Sequence, residues 1–305
     1  MNGILILNKP AGLSSAQGVA RVKRSLRAEH TGHTGTLDPF ASGVLVCCIN
    51  QATRLARFLA PSPKIYEGTL MLGIETDTQD ATGKVVAQHR WTDTTLQDVQ
   101  RVFQRFEGDS LQAPPAYSAL KHQGIPLYRL ARQGRPIRKP PRPIHISRLR
   151  VLTAALPRVR FDVCCSPGTY VRTLAADIGR ELGCGGHLSE LTRLESDGFN
   201  LDQAFSLEEL EALTRRGAQA TAIIPMARAL AGMPGITAGP DLLGKLRHGS
   251  PLTRRDVDID EVPGPAAVSP FIKVLDDQGE LAAILERRSG SEPLKYAGVF
   301  IGPEC

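Results

Sequence analysis

Residues 32–49 read GHTGTLDPFASGVLVCCI, a glycine-rich turn that runs into an unbroken apolar stretch at 44–49. A run of that length, bounded by turn residues, predicts a strand buried on both faces. Within the turn, Gly32, Gly35 and Gly43 allow backbone conformations that a Cβ makes costly. Pro39 fixes its own φ and steers Asp38 out of the helical region. The expectation is a single carboxylate held stiffly at the lip of a core strand, which suits a nucleophile or a general base. An Asp-Pro turn is also an ordinary way of entering a strand. His33 and Asp38 alone would leave a metal site incomplete. No HExxH or paired CxxC supplies further ligands, so no metal is expected.

Upstream, the run from Gly3 to Leu7 reads as a first strand cut short by Lys9-Pro10, without the basic start of a signal peptide. Ser14-Ser15 offers an N-cap, and Val19, Val22 and Leu26 recur at helical spacing. Arg21, Lys23, Arg24 and Arg27 give that helix a basic outer face. Downstream, 66–74 alternates as a strand, 76–83 is a polar turn, and Leu96, Val99, Phe103 and Phe106 mark a helix ended by Gly108. Val159, Phe161 and Val163 alternate in a strand that leads through Gly168-Thr169-Tyr170-Val171-Arg172 into a helix stopped by Gly183. Strands and helices mix without regular βαβ alternation, which predicts an α+β or mixed α/β domain on a mixed sheet. Short apolar runs at 271–275, 281–285 and 298–302 predict a small β domain beyond a boundary near 232.

The 305 residues are 42% hydrophobic and 22% charged, as in a soluble globular protein. No apolar run approaches the roughly 20 residues of a membrane span, and a cytoplasmic protein is expected. Cys47-Cys48 and Cys164-Cys165 are neighbours on strands, where adjacent side chains point to opposite faces. With Cys184 and Cys305 they are read as reduced and structural. The net charge is +6, yet no acidic residue stands between Asp109 and Asp162. That interval holds Lys121, Arg129, Arg132, Arg135, Arg138, Lys139, Arg142, Arg148, Arg150, Arg158 and Arg160, among several prolines. It is either a solvated linker or a mobile basic arm that neutralises phosphates. Tyr117 and Tyr128 among the cations favour nucleic acid. From 236 to the end, eleven acidic residues face eight basic ones, which fits a packing or partner module as well as an RNA-binding one.

Asp38, Tyr66, Tyr170 and Arg172 invite combination. A cation at a helix N-terminus opposes the helix dipole; a carboxylate partner explains Arg172, and Asp38 needs such a partner to stay ionised and oriented.

GHTGTLDPFASGVL, KIYEGTLMLGIETDTQDATG, PPAYSALKHQGIPLYRLARQG, SPGTYVRTLAADIGRELGCGGHLSELTRL and the opening ILILNKPAGLSS together resemble the TruB family of tRNA pseudouridine synthases, in order from Ile4 to Phe199. The resemblance implies a pseudouridine synthase catalytic domain at 1–231, with a mixed, largely antiparallel sheet and a basic RNA-binding insertion at 112–150. It implies a small PUA-like β domain at 232–305. The implied reaction turns uridine at position 55 of the tRNA T-loop into pseudouridine, without cofactor, after the base is flipped out. By the same carry-over Asp38 is the nucleophile, attacking either the anomeric carbon or the uracil ring. Tyr66 stacks on the base and is placed to serve as a base, and Arg172 pairs with Asp38. Tyr170 lines the pocket, Leu191 packs its wall, Lys9 and Asp80 support it, and His33 meets the RNA. Lys121, Arg129, Arg132, Arg135, Arg138, Lys139 and Arg142 are the expected contacts to the RNA backbone. The expected partner is the tRNA T-stem-loop, with no membrane, no obligatory protein partner and a monomeric chain. A tRNA chaperone that acts by binding alone, or a synthase acting on another RNA, are the competing readings.

Overall fold

The computed structural model describes residues 1–59, 62–253, 256–257, 270–287 and 294–301. Gly302, Cys305 and five of the C-terminal acidic residues (Asp258, Asp260, Glu261, Glu292 and Glu304) lie outside the described residues. In chain order the N-terminal part has strands β1 (Gly3–Lys9), β2 (Thr31–His33), β3 (Ser42–Ile49), β4 (Lys64–Leu72), β5 (Ile74–Thr76), β6 (Val85–Gln88) and β7 (Gly108–Gln112). They are followed by β8 (Lys121–His122), β9 (Ile125–Pro126), β10 (Arg142–Ala155), β11 (Arg158–Cys165), β12 (Gly186–Ser196) and β13 (Phe199–Asn200). The helices are α1 (Ser15–Leu26), α2 (Ala56–Leu59), α3 (Leu96–Arg105), α4 (Leu127–Arg132), α5 (Val171–Glu181), α6 (Leu207–Arg215), α7 (Met226–Ala229) and α8 (Pro240–His248). The last strands are β14 (Gly235–Thr237), β15 (Phe271–Leu275), β16 (Leu281–Glu286) and β17 (Lys295–Val299).

The main sheet runs β1-β3-β12-β4-β11-β10-β7, with β2 on β3 and β13 on β12. Every pairing is antiparallel except the β3–β12 step. This is the mixed, largely antiparallel sheet that the sequence predicts. Residues 3–7 of β1 and 43–49 of β3 are apolar because both of their faces are covered. Leu5, Leu7, Leu45, Cys47 and Ile49 pack under Val19, Val22 and Leu26 of α1 and Leu207 and Leu210 of α6. Ile4, Ile6, Val44, Val46 and Cys48 face Met226 of α7 together with Leu281, Ile284 and Phe300 of the C-terminal module. Cys47 and Cys48 thus do point to opposite faces, and their burial pushes both thiols up, Cys48 to about 12. The other half of the sheet is covered on one face only. There Phe161, Val163, Leu70 and Leu149 pack against Val99 and Phe103 of α3 and Leu174 and Ile178 of α5.

The open face corrects the reading of the basic block. Residues 142–150 are not an arm, because they belong to β10. Arg148 pairs with Asp162 and Arg160 with Glu67 on neighbouring strands, and Arg158 with Glu190 across the intervening β4. What leaves the sheet is the segment between β7 and β10. It is folded rather than loose: a two-stranded hairpin (β8–β9) leads into α4, which buries Leu127 and Ala131.

The C-terminal module holds the four-stranded sheet β14-β15-β16-β17 and also α8, a helix the sequence reading missed. It is fastened to the N-terminal part. Arg54 Nη1 donates to Val299 O at 2.6 Å, Lys273 Nζ to Leu230 O at 2.9 Å, and Phe58 meets Phe271 edge to face. Among the described residues no helix is long and apolar enough to cross a membrane.

Candidate active site

Asp38 sits on a turn between β2 and β3 whose every flank is tied down. The Ser15 hydroxyl, on the first turn of α1, donates to Leu37 O at 2.8 Å and accepts from Leu37 N–H at 2.7 Å. On the other side, the fully buried Lys9 donates to Ala41 O at 2.6 Å, and to Leu13 O and Pro10 O. Burial holds the Lys9 ammonium down to about 8, against the opposing charge of Asp38. Lys9 therefore supports the site from beneath and does not line it. Of the three motif glycines only Gly43 takes a left-handed φ, +105°. A Cβ there would lie 2.2 Å from Arg193 O, so this glycine lets β3 pair closely with β12. Gly32 and Gly35 have no such backbone need, and the sequence reading of them is corrected on that point.

The Asp38 carboxylate, about one third exposed, opens onto a cavity of about 380 Å³. Tyr66, Leu191, Tyr170, Arg142, Lys64, Arg193 and Ser118 line it as well. Arg172, from the first turn of α5, reaches Asp38 with two nitrogens, Nε to Oδ2 at 2.8 Å and Nη2 to Oδ1 at 3.2 Å. Its remaining donors go to Thr78 O at 2.7 Å and Tyr117 O at 2.8 Å. Asp80 stands 3.6 Å from Arg172 Nη1, its other oxygen taken by Thr78 and Thr82. A guanidinium only 3% exposed is thus fully employed, which explains a cation at the start of a helix.

Tyr66 is fixed on the fourth strand between Val163 and Arg193 of its two neighbours. Burial pushes its phenol up to about 12 and outweighs the favourable charge of Arg193 beside it. Tyr170 is held at both its main-chain N–H and C=O by the side-chain amide of Gln112. The Arg142 guanidinium lies 5.1 Å over the Tyr170 ring and donates to Gly168 O. His33 stands outside the cavity wall with Nδ1 buried and without a hydrogen-bond partner among the described residues, and burial followed by the Arg193 charge lowers its pKa. Lys121, Arg129, Arg132, Arg135 and Arg138 are exposed on the insertion, while half-buried Lys139 lies 3.3 Å from His122.

Comparison with known proteins bears on this arrangement. The profile of the TruB family pseudouridylate synthase N-terminal domain matches residues 23–171, and that of the tRNA pseudouridylate synthase B C-terminal domain matches 172–231. The tRNA pseudouridine synthase B of Geobacter sulfurreducens is 45% identical over 258 residues, covering 85% of both chains. The chain belongs to the TruB family. It is a pseudouridine synthase. The tRNA pseudouridine synthase B of Thiobacillus denitrificans is 41% identical over 290 residues, 95% of this chain and 93% of that one. The fold also matches the crystal structure of an archaeal box H/ACA sRNP Nop10–Cbf5 complex, with a TM-score of 0.71 and 25% identity over 98% of this chain and 86% of that one.

Several residues of this TruB family site escape a reading of the sequence. Arg193, 1% exposed, donates to Val44 O at 2.7 Å and Gly35 O at 3.0 Å, and its charge lies beside the Tyr66 phenol. Lys64 pairs with the buried Asp197 at 3.2 Å, and Asp197 also accepts from Thr34 at 2.5 Å. Ser15 and Gln112 hold main chain around Asp38 and Tyr170. Each lies far in sequence from what it positions, so no local spacing announces it.

Proposed function

We propose that this enzyme isomerises uridine 55 in the tRNA T-loop, with Asp38 as nucleophile and the base flipped into the cavity. The observation that carries the reading is a carboxylate gripped bidentately by Arg172 in a cavity that Tyr66, Tyr170 and Leu191 line together with the cations Lys64, Arg142 and Arg193. The relatives, named as tRNA pseudouridine synthases, supply the tRNA substrate. A base inside tRNA must leave its stack to reach such a site. The reaction breaks N1–C1′, turns the ring and joins C5 to C1′, while C5 loses a proton and N1 gains one. Asp38 holds the fragment covalently through either C1′ or C6. The Tyr66 ring and Leu191 enclose the uracil. Its phenol is protonated at rest, and the adjacent Arg193 is the group that eases its ionisation if it takes the C5 proton. Phosphates of the T-stem-loop meet the exposed cations of the insertion, and a cytoplasmic monomer is sufficient for the task. The C-terminal module at 232–305, which we read as PUA-like, is mainly a packing partner of β1 and β3.

The test is Asp38→Asn. Pseudouridine at position 55 should vanish while tRNA binding persists. A variant that still modifies tRNA overturns the nucleophile assignment. Unchanged position 55 in tRNA from cells lacking the protein overturns the substrate, and favours another RNA or binding alone.

A further inference from the structure

Two polar atoms in the cavity wall have no hydrogen-bond partner among the described residues: Ser118 Oγ and Arg142 Nε. Both are shut off from solvent, and buried donors left unpaired are rare enough to need a cause. Neither is loose. Ser118 is 4% exposed, and its C=O accepts the Tyr128 N–H at 3.1 Å. The C=O of its neighbour Tyr117 is one of the Arg172 contacts. Arg142 is fixed by β10 pairing to Gln112, by Gly168 O and by the Tyr170 ring. A Cβ on Gly168 would lie 3.3 Å from the Arg142 Cζ, so the glycine makes room for the guanidinium.

We propose that Ser118 and Arg142 bind the phosphate of the target nucleotide. Uracil offers a mixed edge of N–H and C=O groups, whereas two fixed donors, one of them cationic, match an oxyanion. Position agrees. Tyr66 and Leu191, 7% and 6% exposed, form the deep wall, while Arg142 is only half-buried and stands at the mouth. A nucleotide entering base first leaves its phosphate there. Ser118 belongs to the insertion between β7 and β10, so the insertion also supplies one hydroxyl to the nucleotide being modified.

The inference rests on the flipped-uridine reading, and the experiment keeps the two apart. A T-stem-loop RNA is made with a neutral methylphosphonate on either side of the target uridine, and kcat/KM is measured for the parent enzyme, Ser118→Ala and Arg142→Gln. On unmodified RNA each variant should lose about ten-fold or more. On the RNA whose contacted phosphate is neutral, the parent should lose a comparable amount and the variants little further. The Ser118→Ala unfolding midpoint should not fall, since the hydroxyl has no partner to lose, and Ser118→Thr should restore part of the rate. Variants within about two-fold of the parent, or losses that add fully on every RNA, overturn the proposal. A lower midpoint in step with lost activity makes the hydroxyl structural and overturns it as well. A parent enzyme inert on the unmodified RNA overturns the flipped-uridine reading instead.

Discussion

Arg172 and Asp38 are 134 residues apart in sequence and meet through two hydrogen bonds, at 2.8 and 3.2 Å. The same guanidinium bonds Tyr117 O in the basic insertion and Thr78 O in the turn after β5. One side chain therefore orients the Asp38 carboxylate and ties three separate chain segments around it. Lysine has the charge but not the fork. Arg172→Lys should lower single-turnover pseudouridine formation by about a hundred-fold or more and loosen the insertion. The loosening is readable as faster amide exchange at 117–128. Exchange and rate both within about two-fold of the parent would contradict the shared-anchor role.

Arg193 lies opposite Tyr66 across the β4–β12 pair and bonds Val44 O and Gly35 O at the same time. An ammonium lacks the planar fork that holds these two carbonyls while keeping its charge beside the Tyr66 phenol. Arg193→Lys should reduce kcat by about ten-fold or more with tRNA affinity little altered. Filter binding beside single-turnover rates checks this, and a change confined to affinity would place Arg193 with the RNA contacts.

Lys9 gives a pH signature in stability. Burial lowers its pKa from the ordinary lysine value of 10.5 to about 8 in the folded protein. Between those values the unfolded chain binds more protons at this site than the native one, so this site's contribution to stability rises with pH from about 8 to 10.5. Below about 8 the charged form is present in both states and the burial cost is fully felt. Urea unfolding of the parent and of Lys9→Met across this range isolates the contribution. The parent should gain relative to the variant as pH rises, and parallel curves would rule it out.

The sequence makes legible whatever is local. The apolar run at 44–49 announces a doubly covered strand, and the misplaced cation at 172 announces a carboxylate partner. Arg193, Gln112 and Ser15 stay hidden because strand order and register, not spacing, bring them to Tyr66, Tyr170 and Leu37. The basic block misleads for a related reason. Arg148, Arg158 and Arg160 have their acidic partners on other strands of the sheet, at Asp162, Glu190 and Glu67, where a linear charge count cannot find them. Gly32 and Gly35 mislead in the other direction, since a glycine-rich turn need not use every glycine for its backbone freedom.

The buried Lys64–Asp197 pair shows how the motif loop is held from below. Asp197, 7% exposed, takes a left-handed φ of +58° and accepts from Lys64, Thr34 and Ser196. Thr34 belongs to the turn that carries Asp38, so this carboxylate links the turn to the end of β12. Asparagine fits the same backbone and volume but removes the charge. Asp197→Asn leaves the Lys64 ammonium, 10% exposed, without its counter-ion. Breaking a buried pair from one side costs about 3–5 kcal/mol, and the loss should appear as a lower midpoint of urea unfolding. Activity should fall with it, because Lys64 and the Thr34 turn both face the cavity. Pairing Asp197→Asn with Lys64→Met removes the orphaned charge and should recover much of the stability without restoring the rate. A loss below about 1 kcal/mol in the single variant would mean that solvent reaches Lys64 and the pair is no anchor.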